Sequence, residues 1–235
     1  MLGVILASGV GRRLKPLTDT LPKPLIKIGD KCLLEYQINA LISQGIRQLI
    51  ITTGHFYEKI EQFVTDTYPG LKIGFVYNEK YETTNYIYSL WLVKSKIEDD
   101  IILLHGDLFF SLEILNLLCN STFQSTVIIK NDGESMHKDF KASINHELVT
   151  KIAVDLTGFN TFNCLPLYKL SNQFYHLWQG KIDEFIQQGK VNCYAEDALN
   201  ELLPELKLHP LYIYDKLCME IDTYEDLLMA QKQIP

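Results

Sequence analysis

Apolar and polar residues follow two rhythms along this chain. Short runs rich in Val, Ile and Leu at 3–7, 48–52, 73–77, 101–104 and 126–130 read as strands. Between them, 33–43 sets Leu34, Ile38, Leu41 and Ile42 on one helical stripe, and 56–64 does the same with Ile60, Phe63 and Val64. Strands alternating with helices predict an α/β chain whose mixed, mostly parallel sheet carries helices on both faces.

Past about residue 135 the rhythm changes. Runs at 141–144, 148–154 and 162–167 suit antiparallel strands. Helical patterns follow at 171–188 and 195–202, then a strand at 211–214 and a closing helix from Thr223. No stretch rich in Gly, Pro or Ser separates these segments, so a single domain over 1–235 is expected. Within it, about 131–215 would form a small α+β insertion.

Composition narrows the classes. With 47% hydrophobic residues in 235, the chain can bury a substantial core. A formal charge of −7 argues against nucleic acid as a partner, because neutralising many phosphates needs a basic face. No apolar run approaches the roughly 18 residues of a membrane span, and the start lacks the charged region and cleavage site of a secretory signal. A cytoplasmic protein with no membrane partner is expected, and homo-oligomer formation stays open. The five cysteines, Cys32, Cys119, Cys164, Cys193 and Cys218, form no C-x-x-C pair and read as reduced core residues.

The candidate chemistry begins where the first strand ends, at Ser8-Gly9-Val10-Gly11-Arg12-Arg13-Leu14. Two glycines let backbone N–H groups approach phosphate oxygens. Alone they favour an ordinary tight strand-to-helix turn. The third glycine of the dinucleotide fingerprint would fall at Leu14, and no G-K-[ST] follows for a P-loop. The company they keep favours phosphate: Arg12, Arg13, Lys15 and Lys23 lie within a short span, a cluster suited to a compact polyanion. Pro22 and Pro24 fix the backbone around Lys23, which lowers the entropy lost when its ammonium is held. His105-Gly106-Asp107 follows a central strand, so Asp107 falls at a carboxyl end, where open α/β sheets bind ligands. Asp222 precedes the last helix, where a capping role would also suit it. Ser8, His105 and Cys193 have no partner pattern that would support a nucleophilic triad.

The run A-S-G-x-G-R-R-L-x-P-L-T followed by P-K-P-L resembles the start of the sugar-nucleotidyltransferase family. Asn78-Glu79-Lys80-Tyr81 with Asn85 to Leu90, and Asn192-Cys193-Tyr194-Ala195-Glu196-Asp197-Ala198, are similar to its bacterial phosphocholine or phosphoglutamine cytidylyltransferase branch. The resemblance implies a Rossmann-like nucleotidyltransferase fold and a CTP-dependent cytidylyltransferase that joins CMP to a small phosphorylated acceptor, releasing pyrophosphate, for cell-surface (capsule) polysaccharide decoration. It implies Lys23, Arg13 and Asp107 as catalytic residues and Mg2+ on Asp107 and Asp222. Its nucleotide side takes in Leu6, Ala7, Gly9, Gly11, Arg12, Arg13, Asn78, Asn85, Ser89 and Gly106. Asn85 also suits a helix cap.

The acceptor is expected to meet Lys23, Tyr86, Tyr194, Glu196 and Glu220, with Phe159, Phe162 and Asp197 as further candidates; aromatic rings and acids together suit a quaternary ammonium. Each is equally compatible with plain packing or a solvated helix start. Glu134 to Asp139 carries no tryptophan where the phosphocholine enzymes have one, and His137 with Lys138 would suit a carboxylate, as in glutamine phosphate. An aminoalkyl phosphonate is a further option, and 131–140 is a candidate lid. Other classes to be distinguished are a hexose-1-phosphate nucleotidyltransferase using UTP or dTTP, a non-catalytic nucleotide-binding module, and a dinucleotide-dependent oxidoreductase, for which the residues between Gly11 and Asp30 do not suit the required helix.

Overall fold

The computed structural model describes residues 1–131 and 139–234; 132–138, which hold most of the candidate lid, with His137 and Lys138, lie outside the described residues. The chain runs β1 (Leu2–Leu6), β2 (Lys27–Ile28), β3 (Lys31–Cys32), α1 (Leu33–Ser43), β4 (Gln48–Thr53), α2 (Tyr57–Thr67) and β5 (Lys72–Tyr77). It continues through α3 (Tyr86–Leu92), β6 (Ile101–His105), β7 (Leu108–Phe110), α4 (Leu112–Cys119), β8 (Thr126–Lys130), β9 (Lys141–Asn145) and β10 (Leu148–Ala153). The last elements are β11 (Thr161–Leu170), α5 (Asn172–Gln187), α6 (Ala195–Asn200), β12 (His209–Ile213), β13 (Cys218–Glu220) and α7 (Tyr224–Gln231).

Nine strands form one mixed sheet in the order β10-β9-β11-β6-β1-β4-β5, with β8 beside β11 and β12 beside β8. β1 is buried throughout and lies parallel between β4 and β6, which explains its unbroken apolar run. Its side chains divide by parity: Val4 and Leu6 join the core cluster that holds residues of α3, α5 and α6, while Ile5 joins that of α1, α2 and α4. Helices therefore cover both faces, as the alternation predicted.

β11 organises the second half. One edge pairs antiparallel with β8, and the other is shared, with β6 taking 167–170 and β9 taking 161–163. Pro166 has no N–H to give, and the register against β8 shifts between Leu165 and Tyr168 around it. Because β11 runs antiparallel to β6, its early residues extend past the carboxyl end of that strand, and β9 and β10 stand there too. Val149 and Leu208 share one apolar cluster with Val4 and Leu103, so the segment from 141 onward packs into the core of the amino-terminal half.

Most predicted elements lie within a few residues of those observed. The pattern did not announce α4, nor the two-residue and three-residue pairs β2–β3 and β7–β13. The cysteines need a correction: Cys32, Cys164 and Cys218 are buried, but Cys119 and Cys193 are half-buried. No described helix is long and apolar enough to cross a membrane.

Two glycines near the sheet's carboxyl end differ in what they tolerate. A Cβ on Gly106 would stand 2.9 Å from the Leu6 carbonyl oxygen and 3.1 Å from Ala7 Cα, whereas one on Gly9 would meet nothing within 4 Å. Gly106→Ala is expected to cost about 1–3 kcal/mol in a chemical denaturation series by forcing backbone apart. Gly9→Ala should stay within about 0.5 kcal/mol of the parent protein.

Candidate active site

The carboxyl ends of β1 and β6 open onto a cavity of about 430 Å3. The loop after β1 is shaped from within. Gly11 takes the left-handed conformation at φ 68°, and a Cβ there would come within 3.0 Å of Lys23 Cβ and 3.1 Å of Thr18 Cγ2. The buried Thr18 hydroxyl donates to the Gly11 carbonyl at 2.9 Å. Leu14 anchors the loop in a small apolar cluster with Ile26, Phe109 and Ile221. That cluster joins the glycine loop to the segments on either side of it in space, β7 and the stretch after β13.

Lys23 is 8% exposed, between the buried Pro22 and Pro24. Its Nζ donates to Asp107 Oδ2 at 2.9 Å and to Asp222 Oδ1 at 2.7 Å. Arg13 Nη2 donates to Asp222 Oδ2 at 2.5 Å. Three distant stretches thus converge on one ammonium. β13 pairs antiparallel with β7, and the Ile221 N–H donates to the Asp107 carbonyl at 2.9 Å, which sets Asp222 beside Asp107. Asp222 is not the helix cap. Thr223 caps α7 and forms a capping box with Asp226, which leaves the Asp222 side chain to the cavity.

Burial and charge compete at each group. Desolvation pulls the Lys23 ammonium down, but Asp107 and Asp222 outweigh it and hold it above its ordinary value. Desolvation pushes Asp107 up, yet Lys23 and His105 carry it below the usual carboxylate range. At Glu220 the balance falls the other way: burial, then Asp107 and Asp222, push it well above a normal carboxyl and outweigh the opposing pull of Lys23. Burial lowers His105 and favours the neutral imidazole. Ligand atoms of His105, Asp107 and Glu220 lie within 4.8 Å of one another, the metal-sized cluster found among the described residues.

The predicted nucleotide residues Leu6, Ala7, Gly9, Gly11, Arg12, Arg13, Asn78, Asn85, Ser89 and Gly106 all line the cavity, as do Lys23, Asp107, Asp222 and Tyr86. Asn78 and Ser89 are buried and bonded together: Asn78 Nδ2 donates to Ser89 Oγ at 3.0 Å, and Ser89 shares a 2.6 Å hydrogen bond with Ser8. The Ser8 hydroxyl is thus engaged by Ser89. Asn85 caps α3 by accepting from the Tyr86 N–H at 2.8 Å while still lining the wall.

Tyr194, Glu196 and Glu220 stand behind the wall and do not line it. Glu196 is 1% exposed and accepts hydrogen bonds from the Tyr86 hydroxyl and, at 2.8 Å, from that of Tyr168. The Tyr86 ring lies 4.4 Å from His105 and 6.1 Å from Tyr194, which meets Phe140 edge-on at 4.9 Å. Two aromatic candidates stand elsewhere. Phe159 is fully exposed in the turn beside Gly158, and Phe162 packs edge-on against Tyr212. Thr18, Tyr168 and Phe140 went unnoticed in the sequence. Tyr168 sits in a strand whose alternation reads as plain core, while Thr18 belongs to the legible P-L-T run.

The Glu220 shift carries a sign. A carboxyl raised on folding binds more protons folded than unfolded, so its contribution is present below about pH 4.5 and falls as pH rises toward the folded value. In metal-free buffer, Glu220→Gln should gain thermal stability relative to the parent protein between about pH 5 and pH 8. A gap that stays constant with pH would refute the assignment.

The sequence model of the nucleotidyl transferase family matches residues 2–154. Choline-phosphate cytidylyltransferase of Streptococcus pneumoniae (strain ATCC BAA-255 / R6) is 36% identical over 233 residues, covering 96% of this chain and 95% of that protein. CMP-5'-(3-aminopropyl)phosphonate synthase of Streptomyces rubellomurinus (strain ATCC 31215) is 31% identical over 53% of this chain and 20% of its own length. Among solved structures, the CTP:phosphocholine cytidylyltransferase of Streptococcus pneumoniae superposes with a TM-score of 0.82 at 24% identity, covering 100% of this chain and 99% of that one. This last likeness concerns the fold.

Proposed function

The chain belongs to the nucleotidyl transferase family, and from that premise we propose that it transfers the cytidylyl group of CTP to phosphocholine and releases pyrophosphate. The observation that carries this reading is the likeness to choline-phosphate cytidylyltransferase over 96% of the chain. The site agrees with it. A glycine loop, Arg12, Arg13 and Lys23 line one cavity with Asp107 and Asp222, a set matched to a triphosphate and a divalent cation.

The reaction asks for positioning and charge neutralisation more than for covalent chemistry. A phosphate oxygen of the acceptor attacks the α-phosphorus in line, and pyrophosphate departs. Near neutral pH the acceptor phosphate is already ionised, since its second pKa is about 6, so no protein base is needed. Lys23, kept charged by its two aspartates, neutralises the reacting phosphates. Arg13 and the N–H groups of the glycine loop hold the triphosphate, and Gly9 leaves open space where a Cβ would crowd it.

Mg2+ fits the carboxylates. Asp107 Oδ1 is buried with no hydrogen-bond partner, an orphaned oxygen suited to a hard cation, and Asp107 and Asp222 meet on the same ammonium. Bound there, it would supply further charge neutralisation at the phosphates. The alternative cluster of His105, Asp107 and Glu220 includes an imidazole nitrogen, a donor less suited to Mg2+.

On the acceptor side, Tyr86 spans the cavity wall and the buried Glu196 behind it. Aromatic rings beside an acid suit the quaternary ammonium of choline. The test is pyrophosphate release with Mg2+ and each of the four nucleoside triphosphates. The acceptors are phosphocholine, glutamine phosphate, 2-aminoethylphosphonate, 3-aminopropylphosphonate and hexose 1-phosphates. CTP with phosphocholine should turn over fastest, and Glu196→Gln should raise the phosphocholine KM about tenfold with CTP binding kept. Turnover confined to UTP or dTTP with a hexose 1-phosphate would overturn the reading.

A further inference from the structure

Gln37 is a polar side chain on an apolar helix face. It lies in α1 one turn after Leu33 and one turn before Leu41, both buried, and is itself 1% exposed. An amide taken that far from water needs partners for its polar atoms. Gln37 Nε2 donates to the His105 carbonyl at 2.9 Å and to the Leu108 carbonyl at 2.7 Å, so both amide protons are used. Its Oε1 is buried with no hydrogen-bond partner among the described residues. An orphaned acceptor is costly, so the position holds a glutamine for its two donors. The carbonyls they take stand on either side of Gly106 and Asp107.

That two-residue link between β6 and β7 carries the carboxylate that meets Lys23 at 2.9 Å. Two further ties hold it, and both are backbone bonds. The Gly106 N–H donates to the Leu6 carbonyl at 2.8 Å, and the Asp107 carbonyl accepts from the Ile221 N–H at 2.9 Å. β1 and the stretch after β13 thus hold the link from two directions, and α1 holds it from a third. Of these ties, the one made by Gln37 depends on the identity of a side chain. Asp107 lines the cavity on a short side chain, so a shift of its backbone is carried straight to its carboxylate. We propose that Gln37 is a positioning residue for nucleotidyl transfer, which clamps the backbone of 105–108 so that the Asp107 carboxylate stands at its working distance from Lys23. The proposal rests on the nucleotidyl-transfer reading and is independent of which nucleotide or acceptor is used.

The test compares Gln37→Met with the parent protein by pyrophosphate release from CTP and phosphocholine. Methionine keeps the length and bulk of the side chain and removes both donors. Gln37→Glu, the second variant should methionine fail to fold, keeps the shape and donates one bond at most, when protonated. Each is assayed well below its own melting temperature, so that the folded fraction is constant. Gln37→Met should lower kcat about tenfold or more and leave KM for CTP and for phosphocholine within about twofold of the parent values, because a small displacement at the reacting phosphates is felt in the transition state. Gln37→Glu should fall between the two. A merely structural role would lower the melting temperature and leave kcat unchanged, and that result would overturn the proposal, as would a rise in KM with kcat kept. Asp107→Asn closes a double-mutant cycle, followed in single turnovers with enzyme in excess. In that background Gln37→Met should cost less than about threefold, whereas the full loss would show that Gln37 does not act through Asp107. Turnover of the parent protein on another nucleotide or acceptor would sink the substrate assignment alone, with the same comparison then decided on that pair. A folded parent protein without turnover on any pair would sink both.

Discussion

One ammonium organises this molecule's chemistry. Lys23 is nearly buried, and a buried cation is tolerated only with close counter-charges. Asp107 and Asp222 supply them from two other parts of the chain. The requirement runs backward into the fold. β6 must end where Asp107 reaches the lysine, β13 must pair with β7 to bring Asp222 alongside, and the proline-flanked turn must hold Lys23 at the crossing. The apolar cluster of Leu14, Ile26, Phe109 and Ile221 keeps those backbones together without competing for the charge.

The amino-terminal half was the legible part. Its strands are short apolar runs separated by clean helical stripes, and burial on both faces of a parallel sheet produces such runs directly. The loop was legible because its residue types are chemically unusual together: two glycines, two arginines and a lysine between prolines. What stayed hidden shares a cause. The three-residue pairing of β7 with β13 has no period to detect, although it determines where Asp222 stands. The divided edge of β11 depends on which strand arrives at each half, and Pro166 hints at a bulge without saying what pairs beside it.

The candidate site was read more fully on the nucleotide side than on the acceptor side. Most residues expected on the nucleotide side come from strand ends and one loop, so sequence position brings them to one rim, and Asn85 and Ser89 join them from the start of α3. The acceptor candidates come from α3, β11 and the start of α6, and only the folded chain reveals that Tyr86 and Tyr168 share one carboxylate. Phe159 shows the converse hazard. An aromatic residue in a promising stretch of sequence can end on the solvent side of a turn, and no residue type distinguishes the two outcomes.

The contact between Lys23 and Asp222 spans 199 positions of the chain. Most of the large sheet needs no residue beyond Leu170, and its last strand is complete at Ile213. During synthesis, then, the strands can begin to assemble while the carboxylate that bridges Arg13 and Lys23 is still inside the ribosome. The nascent chain acquires its architecture before its charge balance: Lys23 can meet Asp107 early, whereas Arg13 waits for its carboxylate until Asp222 emerges.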